Sequence, residues 1–240
     1  MNTLKLHDAH VKMIAHRGLS GLETENTCAA FVAAGNRSFF GIETDVHRTR
    51  DGRFIIIHDD TTGRVAGQDL PVEDTDFSVL RALRLKDRDG DGARADLILP
   101  SLTEYIRVCR RYEKTAVLEL KNHLEPVDIA NIIEIIQGEG YLQNTIFISF
   151  DLPNLICVRR MSPRQKAQYL IENSVPEDLI DTLNKYRLDL DIDYQLLTPD
   201  LVEEVHAAGH EINVWTVNDL DTARRLAAWG VDYITSNIIE

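Results

Sequence analysis

Leu188-Asp189-Leu190-Asp191-Ile192, Ile212-Asn213-Val214-Trp215-Thr216 and Asp232-Tyr233-Ile234-Thr235 are three short strand-like runs separated by two stretches of helical character. Pro199 suits the first turn of the first stretch and Gly209 its end, while Gly230 closes the second. The order is strand, helix, strand, helix, strand, the signature of β/α units. Further runs toward the N-terminus, at 11–15, 41–46, 116–120, 145–149 and 167–171, bring the strands to eight. Asn26 opens a helix over 27–34, Gly35 stops it, Ser101 with Glu104 makes a capping box, and Pro126 and Pro176 suit first turns. Eight units in 240 residues match a (β/α)8 barrel, whereas a doubly wound sheet usually needs only about five or six strands. The reading is an α/β barrel in one domain spanning residues 1–240.

One segment breaks the rhythm. After Glu43-Thr44-Asp45-Val46 comes Arg50-Asp51-Gly52-Arg53 and then Phe54-Ile55-Ile56-Ile57-His58, which reads as a β-hairpin excursion with a two-residue Asp-Gly turn. That register sets Asp45 directly opposite His58. Residues 61–99 follow as a small irregular insertion, too short for a second full domain. Its Asp-rich run at 87–92 lacks the spacing and terminal Glu of an EF-hand and reads as a solvated turn.

Composition removes several classes of function. With 26 Lys+Arg against 39 Asp+Glu, the formal charge of −13 argues against a general nucleic-acid binder, which needs a basic face, and against a polybasic membrane anchor. Apolar runs are far shorter than the roughly 20 residues of a spanning helix, so no stable membrane insertion is expected. Cys28, Cys109 and Cys157 lie far apart, as in reduced cytoplasmic proteins. A cytoplasmic location is expected, and a homo-oligomer stays open.

Four polar clusters fall at the predicted carboxyl ends of strands: His16-Arg17-Gly18, Glu43-Thr44-Asp45, His58-Asp59 and Glu119-Leu120-Lys121. In a barrel those ends form the active face. Alternation puts Glu43 and Asp45 on one face, as it does Glu119 and Lys121. Three carboxylates converging from neighbouring strands repel unless a cation lies between them. Oxygen donors without a Cys/His tetrad suit magnesium or calcium rather than zinc. Three negative charges set against a divalent ion, Arg17 and Lys121 leave about one positive charge, which suits a phosphodiester. His16 and His58 have the titration range for acid and base work on such a group. His7, His10, His47, His123, His206 and His210 are scattered and read as structural or solvated.

Ile14-Ala15-His16-Arg17-Gly18, Glu25-Asn26-Thr27, Ile42-Glu43-Thr44-Asp45-Val46, Thr49-Arg50-Asp51-Gly52, His58-Asp59, Leu118-Glu119-Leu120-Lys121 and Val214-Trp215-Thr216-Val217-Asn218 together resemble the glycerophosphodiester phosphodiesterase family. The likeness runs over nearly the whole chain, and the family's fold is a TIM barrel. It implies that Glu43, Asp45 and Glu119 bind a divalent metal, magnesium or calcium. It further implies that His16 and His58 are the acid/base pair, that Arg17 and Lys121 hold the phosphate, and that Trp215 packs on the glycerol unit. The implied enzyme is a phosphoric diester hydrolase, acting on small diesters such as glycerophosphocholine or glycerophosphoethanolamine through a cyclic phosphate. A lysophospholipid or glycerophosphoinositol phosphodiesterase, or a non-catalytic phosphodiester-binding protein, are the alternatives. The chain departs from the family at Thr24, where relatives usually carry Pro, and at Thr235-Ser236-Asn237-Ile238, where they usually have Thr-Asp-x-Pro.

Overall fold

In a computed structural model, which describes residues 2–8, 10–88 and 94–240, nine strands and eight α-helices are found among the described residues. The chain runs β1 (Lys12–Ala15), α1 (Cys28–Gly35), β2 (Gly41–Arg48), β3 (Phe54–Ile56), α2 (Phe77–Ala82), α3 (Leu102–Arg111) and β4 (Thr115–Leu120). It continues with α4 (Pro126–Gly138), β5 (Thr145–Ser149), α5 (Leu152–Met161), β6 (Lys166–Ile171) and α6 (Leu179–Tyr186). It ends with β7 (Asp189–Asp193), α7 (Pro199–Ala207), β8 (Ile212–Trp215), α8 (Leu220–Trp229) and β9 (Tyr233–Ser236). The strand order β1-β9-β8-β7-β6-β5-β4-β2 closes where β1 pairs with β2, giving eight parallel strands around one axis with helices between them. This is the TIM barrel.

Alternation along each strand creates two apolar shells. Ile42, Leu118, Phe147 and Val214 face outward and pack beneath helix residues such as Phe31, Tyr105 and Ile132. Ile14, Val117, Ile146, Ile148, Leu170 and Tyr233 point inward and fill the barrel. Each such side chain removed from water contributes about 1.5–3 kcal/mol. Helix α3 shows how the outer shell is specified. The Ser101 hydroxyl accepts from the Glu104 amide while the Glu104 carboxylate accepts from the Ser101 amide, and Leu102, Tyr105, Ile106 and Cys109 recur along one buried stripe.

Local expectations needed three corrections. The cap of α1 is Thr27, whose hydroxyl accepts from Ala30 N; Asn26 instead adopts φ of 53° and turns its amide toward β2. Pro176 precedes the cap of α6, Asp178, and lies outside its first turn. The hairpin is one residue out of the expected register: Val46 opposes Ile56, and Ile57 N donates to Asp45 O. Its loop has three residues, because Thr49 N bonds Arg53 O while Gly52 N returns to Thr49 O with Gly52 at φ of +75°. The three-residue loop closes on a left-handed glycine, and glycine takes this φ without cost.

Residues 61–99 are less irregular than expected. They contain α2 and build an apolar cluster of Ala66, Val72, Phe77, Leu80, Leu85, Leu97 and Leu99 against Ile55 and Ile57. The insertion thereby covers the outer end of the hairpin. Most of the Asp-rich run at 87–92 lies outside the described residues.

Candidate active site

The carboxyl ends of β1, β2 and β4 meet at one mouth of the barrel. Parallel pairing places Asp45 beside Glu119, and Glu43 lies two residues back on the same face of β2. One carboxylate oxygen from each of Glu43, Asp45 and Glu119 lies within 4.8 Å of the others, and all three residues are buried. His16, Arg17, Glu43, His58, Glu119, Lys121 and Trp215 line a cavity of about 310 Å³. Asp45, 1% exposed, stands immediately behind that lining. All eight residues singled out from the sequence are therefore brought together.

His58 arrives by a different route from the one expected. In the observed register it does not oppose Asp45, and β3 ends at Ile56, so the chain bends beyond the strand to carry His58 back to the cavity.

Electrostatics divide the three carboxylates. Although burial opposes it, Arg17, His58 and Lys121 hold Asp45 ionised, well below the usual carboxylate range, and the Asn26 amide donates to its Oδ2 at 2.8 Å. Burial and the neighbouring Asp45 push Glu119 up to about 8 and Glu43 well above its ordinary value. Lys121 Nζ lies 2.8 Å from Glu119 and 3.8 Å from Asp45; the Arg17 amide donates to Glu43 Oε2 at 2.8 Å. Three hard oxygen donors, crowded so closely that two resist ionisation, form a set that could hold a divalent metal ion. The residues fit that group.

Both histidines are anchored through Nδ1. His16 Nδ1 lies 2.7 Å from Asn237 Oδ1, with its Nε2 4.0 Å from Glu43. Burial, reinforced by Arg17, lowers His16 to about 4. His58 Nδ1 lies 2.7 Å from Asp59 Oδ1, and burial lowers its pKa too. Asp59 is kept ionised, at about 2, chiefly by Arg64. A carboxylate only accepts, so His58 Nδ1 carries the proton and Nε2 is left with its lone pair.

Several neighbours escaped the sequence reading. Asn26 Oδ1 accepts a hydrogen bond from the Thr44 hydroxyl while its NH2 donates to Asp45, which braces the loop after β1 against β2. Asn237 occupies the segment that departs from the family pattern and holds His16. Arg64, from the insertion, binds Asp59 at 2.6 and 3.0 Å and Glu25 at 2.7 and 2.8 Å. Glu25 in turn lies 2.9 Å from Arg17. One guanidinium therefore ties the partner of His58 to the partner of Arg17. Asp-to-Arg spacing gave no signal of this, because both forks depend on how the insertion folds.

The far wall is less polar, with Ile148, Phe150, Leu170 and Trp215. Trp215 packs edge-on to Phe150 at 5.8 Å and against the barrel's inner cluster, so it is both core and cavity wall.

Residues 16–240 match the model of the glycerophosphoryl diester phosphodiesterase family. The chain belongs to this family. Its members are phosphoric diester hydrolases. The chain is 29% identical over 227 residues to a glycerophosphodiester phosphodiesterase of Caldanaerobacter subterraneus subsp. tengcongensis, covering 94% of this chain and 93% of that protein. It resembles an Oleispira antarctica phosphodiesterase solved with the product sn-glycerol-3-phosphate: TM-score 0.85, 28% identity, and 95% and 93% of the two chains covered. A Thermotoga maritima glycerophosphodiester phosphodiesterase superposes with a TM-score of 0.79 at 28% identity, covering 96% of each chain. Among the described residues no helix is long and apolar enough to cross a membrane.

Proposed function

We propose that the chain hydrolyses small glycerophosphodiesters, such as glycerophosphocholine or glycerophosphoethanolamine, to glycerol 3-phosphate and an alcohol. The observation that carries this reading is the gathering of three carboxylates, two histidines, Arg17 and Lys121 around one cavity at the carboxyl end of the barrel. Glu43, Asp45 and Glu119 hold magnesium or calcium, which when bound polarises the phosphoryl oxygens. Arg17 and Lys121 supply the remaining positive charge that draws in the anionic diester and fixes it between the histidines. His58, with Nδ1 given to Asp59, presents Nε2 to take the proton of the glycerol 2-hydroxyl as that oxygen attacks phosphorus. His16, its ring steadied by Asn237, gives a proton to the departing alcohol oxygen. The negative diester beside His16 raises its proton affinity from the low value of the free site. Water then opens the cyclic glycerophosphate with the two roles reversed. Trp215 packs against the carbon skeleton of the glycerol unit.

The test is release of glycerol 3-phosphate from glycerophosphocholine by the purified protein, first with EDTA and then with magnesium or calcium restored. Metal-dependent release is expected, with His16→Ala and His58→Ala each slowing turnover by about 10²–10⁴-fold. Full turnover in EDTA, or in both histidine variants, refutes the reading.

A further inference from the structure

Beneath Trp215 the cavity floor holds a carboxyl group that this mechanism does not use. Asp191, on β7, lines the cavity together with Ile148 and Leu170, yet it is only 1% exposed. Its Oδ1 is buried without a hydrogen-bond partner, as is the indole Nε1 of Trp215 on the neighbouring strand β8. An acceptor and a donor left unpaired on adjacent strands are costly, about 1–3 kcal/mol each. They are offset if a ligand group that both donates and accepts comes between them.

We infer that Asp191 is a specificity-determining residue that hydrogen-bonds the terminal, non-reacting hydroxyl of the glycerol unit. This rests on reading the cavity as a glycerophosphodiester site.

The surroundings select a neutral hydroxyl rather than a cationic head group. Burial pushes the Asp191 carboxyl up to about 8, opposed in part by the Asn213 amide, so at neutral pH the group is a carboxylic acid. A carboxylic acid offers one O–H donor and spare acceptor capacity, the complement of an alcohol. Asn213 is the register partner of Asp191, and its own Oδ1 is occupied by the Thr235 hydroxyl at 3.1 Å, which turns its NH2 toward Asp191. Asp191 is thereby held in place by a pair that does not itself reach the metal-ligating carboxylates. Ile148 and Leu170 give the cavity an apolar wall beside the carboxyl group.

The decisive comparison is between glycerophosphocholine and the matching phosphocholine diester of propane-1,2-diol, which keeps the attacking 2-hydroxyl and lacks only the terminal one. A site built to bind a hydroxyl rejects the analogue lacking it, so the wild-type enzyme with its metal should prefer the glycerol diester in kcat/KM by on the order of 100-fold. Asp191→Ala should bring that ratio to within about 3-fold of unity, and Asp191→Asn should leave it in between. Because the readout is a ratio measured on one preparation, lost folding cannot mimic it. Inhibition of the wild type by glycerol 3-phosphate against propane-1,2-diol phosphate repeats the comparison without any variant. A wild-type ratio near unity, or a ratio unchanged in Asp191→Ala, overturns the assignment while leaving the functional reading intact. Cleavage of neither diester overturns both.

Discussion

Replacing Glu119 with Gln should make the metal-free protein more stable at neutral pH while removing its activity. Glu119 is 8% exposed, and burial together with Asp45 raises its carboxyl from 4.5 to about 8. Between those values the native state keeps a proton that the unfolded chain releases. Stability therefore falls as pH rises through this interval, the reverse of the usual behaviour of an ion-paired acid. At pH 7 the interval already traversed is about 2.5 pH units, and about 1.36 kcal/mol per unit gives a loss of about 3 kcal/mol. Gln has the shape of the protonated acid and no charge to lose, so Glu119→Gln escapes the penalty. For a chain of this length about 3 kcal/mol corresponds to roughly 6–12 °C in Tm. The assay is thermal denaturation followed by circular dichroism in EDTA from pH 5 to pH 8. The two proteins should melt together near pH 5 and diverge as pH rises, with the variant higher. Millimolar magnesium or calcium should then raise the wild type and leave Glu119→Gln almost unmoved, because an ion that binds only the native state stabilises by mass action. Curves that stay parallel across the pH range, or a variant that melts lower at pH 7.5, would refute the account of the crowded carboxylates.

Two further substitutions probe the scaffold around the site. Arg64→Met removes the guanidinium that holds both Asp59 and Glu25, and should lower kcat/KM by at least about 10-fold; Arg64→Lys should recover only part, since an ammonium cannot make both forks. Full activity in Arg64→Met would remove the insertion from the account of the site. Gly18→Ala should cost more than about 1 kcal/mol in urea denaturation, because Gly18 has φ of +76° and a Cβ there would lie 2.7 Å from the Ala30 carbonyl carbon. An unchanged midpoint would show that the loop after β1 shifts freely.

How much of this was legible in the chain depends on the range of the interaction involved. The eight barrel strands were visible because each is a short run bounded by caps, prolines and glycines, and their observed limits lie within about two residues of the expected ones. The convergence of Glu43, Asp45 and Glu119 followed from alternation plus parallel neighbours, both local rules. The hairpin failed by one residue because an Asp-Gly pair serves both a two-residue and a three-residue loop. Here the choice falls to Thr49, whose amide and hydroxyl both bond the Arg53 carbonyl, and to Asp51, which accepts from Phe77 N. Arg64 was invisible for a stronger reason: its two carboxylate partners lie 5 and 39 residues away, and only the folded insertion brings them to one guanidinium.

Asp191 marks the deeper limit. Asp189, Asp191 and Asp193 alternate along β7, and the period of two sends all three to the same side of the strand. Their fates nevertheless diverge along the barrel axis. Asp189 accepts from the Glu211 amide, Asp191 lines the cavity floor, and Asp193 accepts from Gln195 N in the loop beyond the strand. Periodicity determines which face a residue takes, but depth is set by strand tilt and stagger, properties of the closed sheet as a whole. Depth along the axis sets each carboxylate's neighbours: Asp193 meets the loop beyond the strand, whereas Asp191, two residues back, meets the cavity and Asn213. The same residue type on one strand can therefore serve unrelated purposes, and the distinction first becomes readable when the eight strands close.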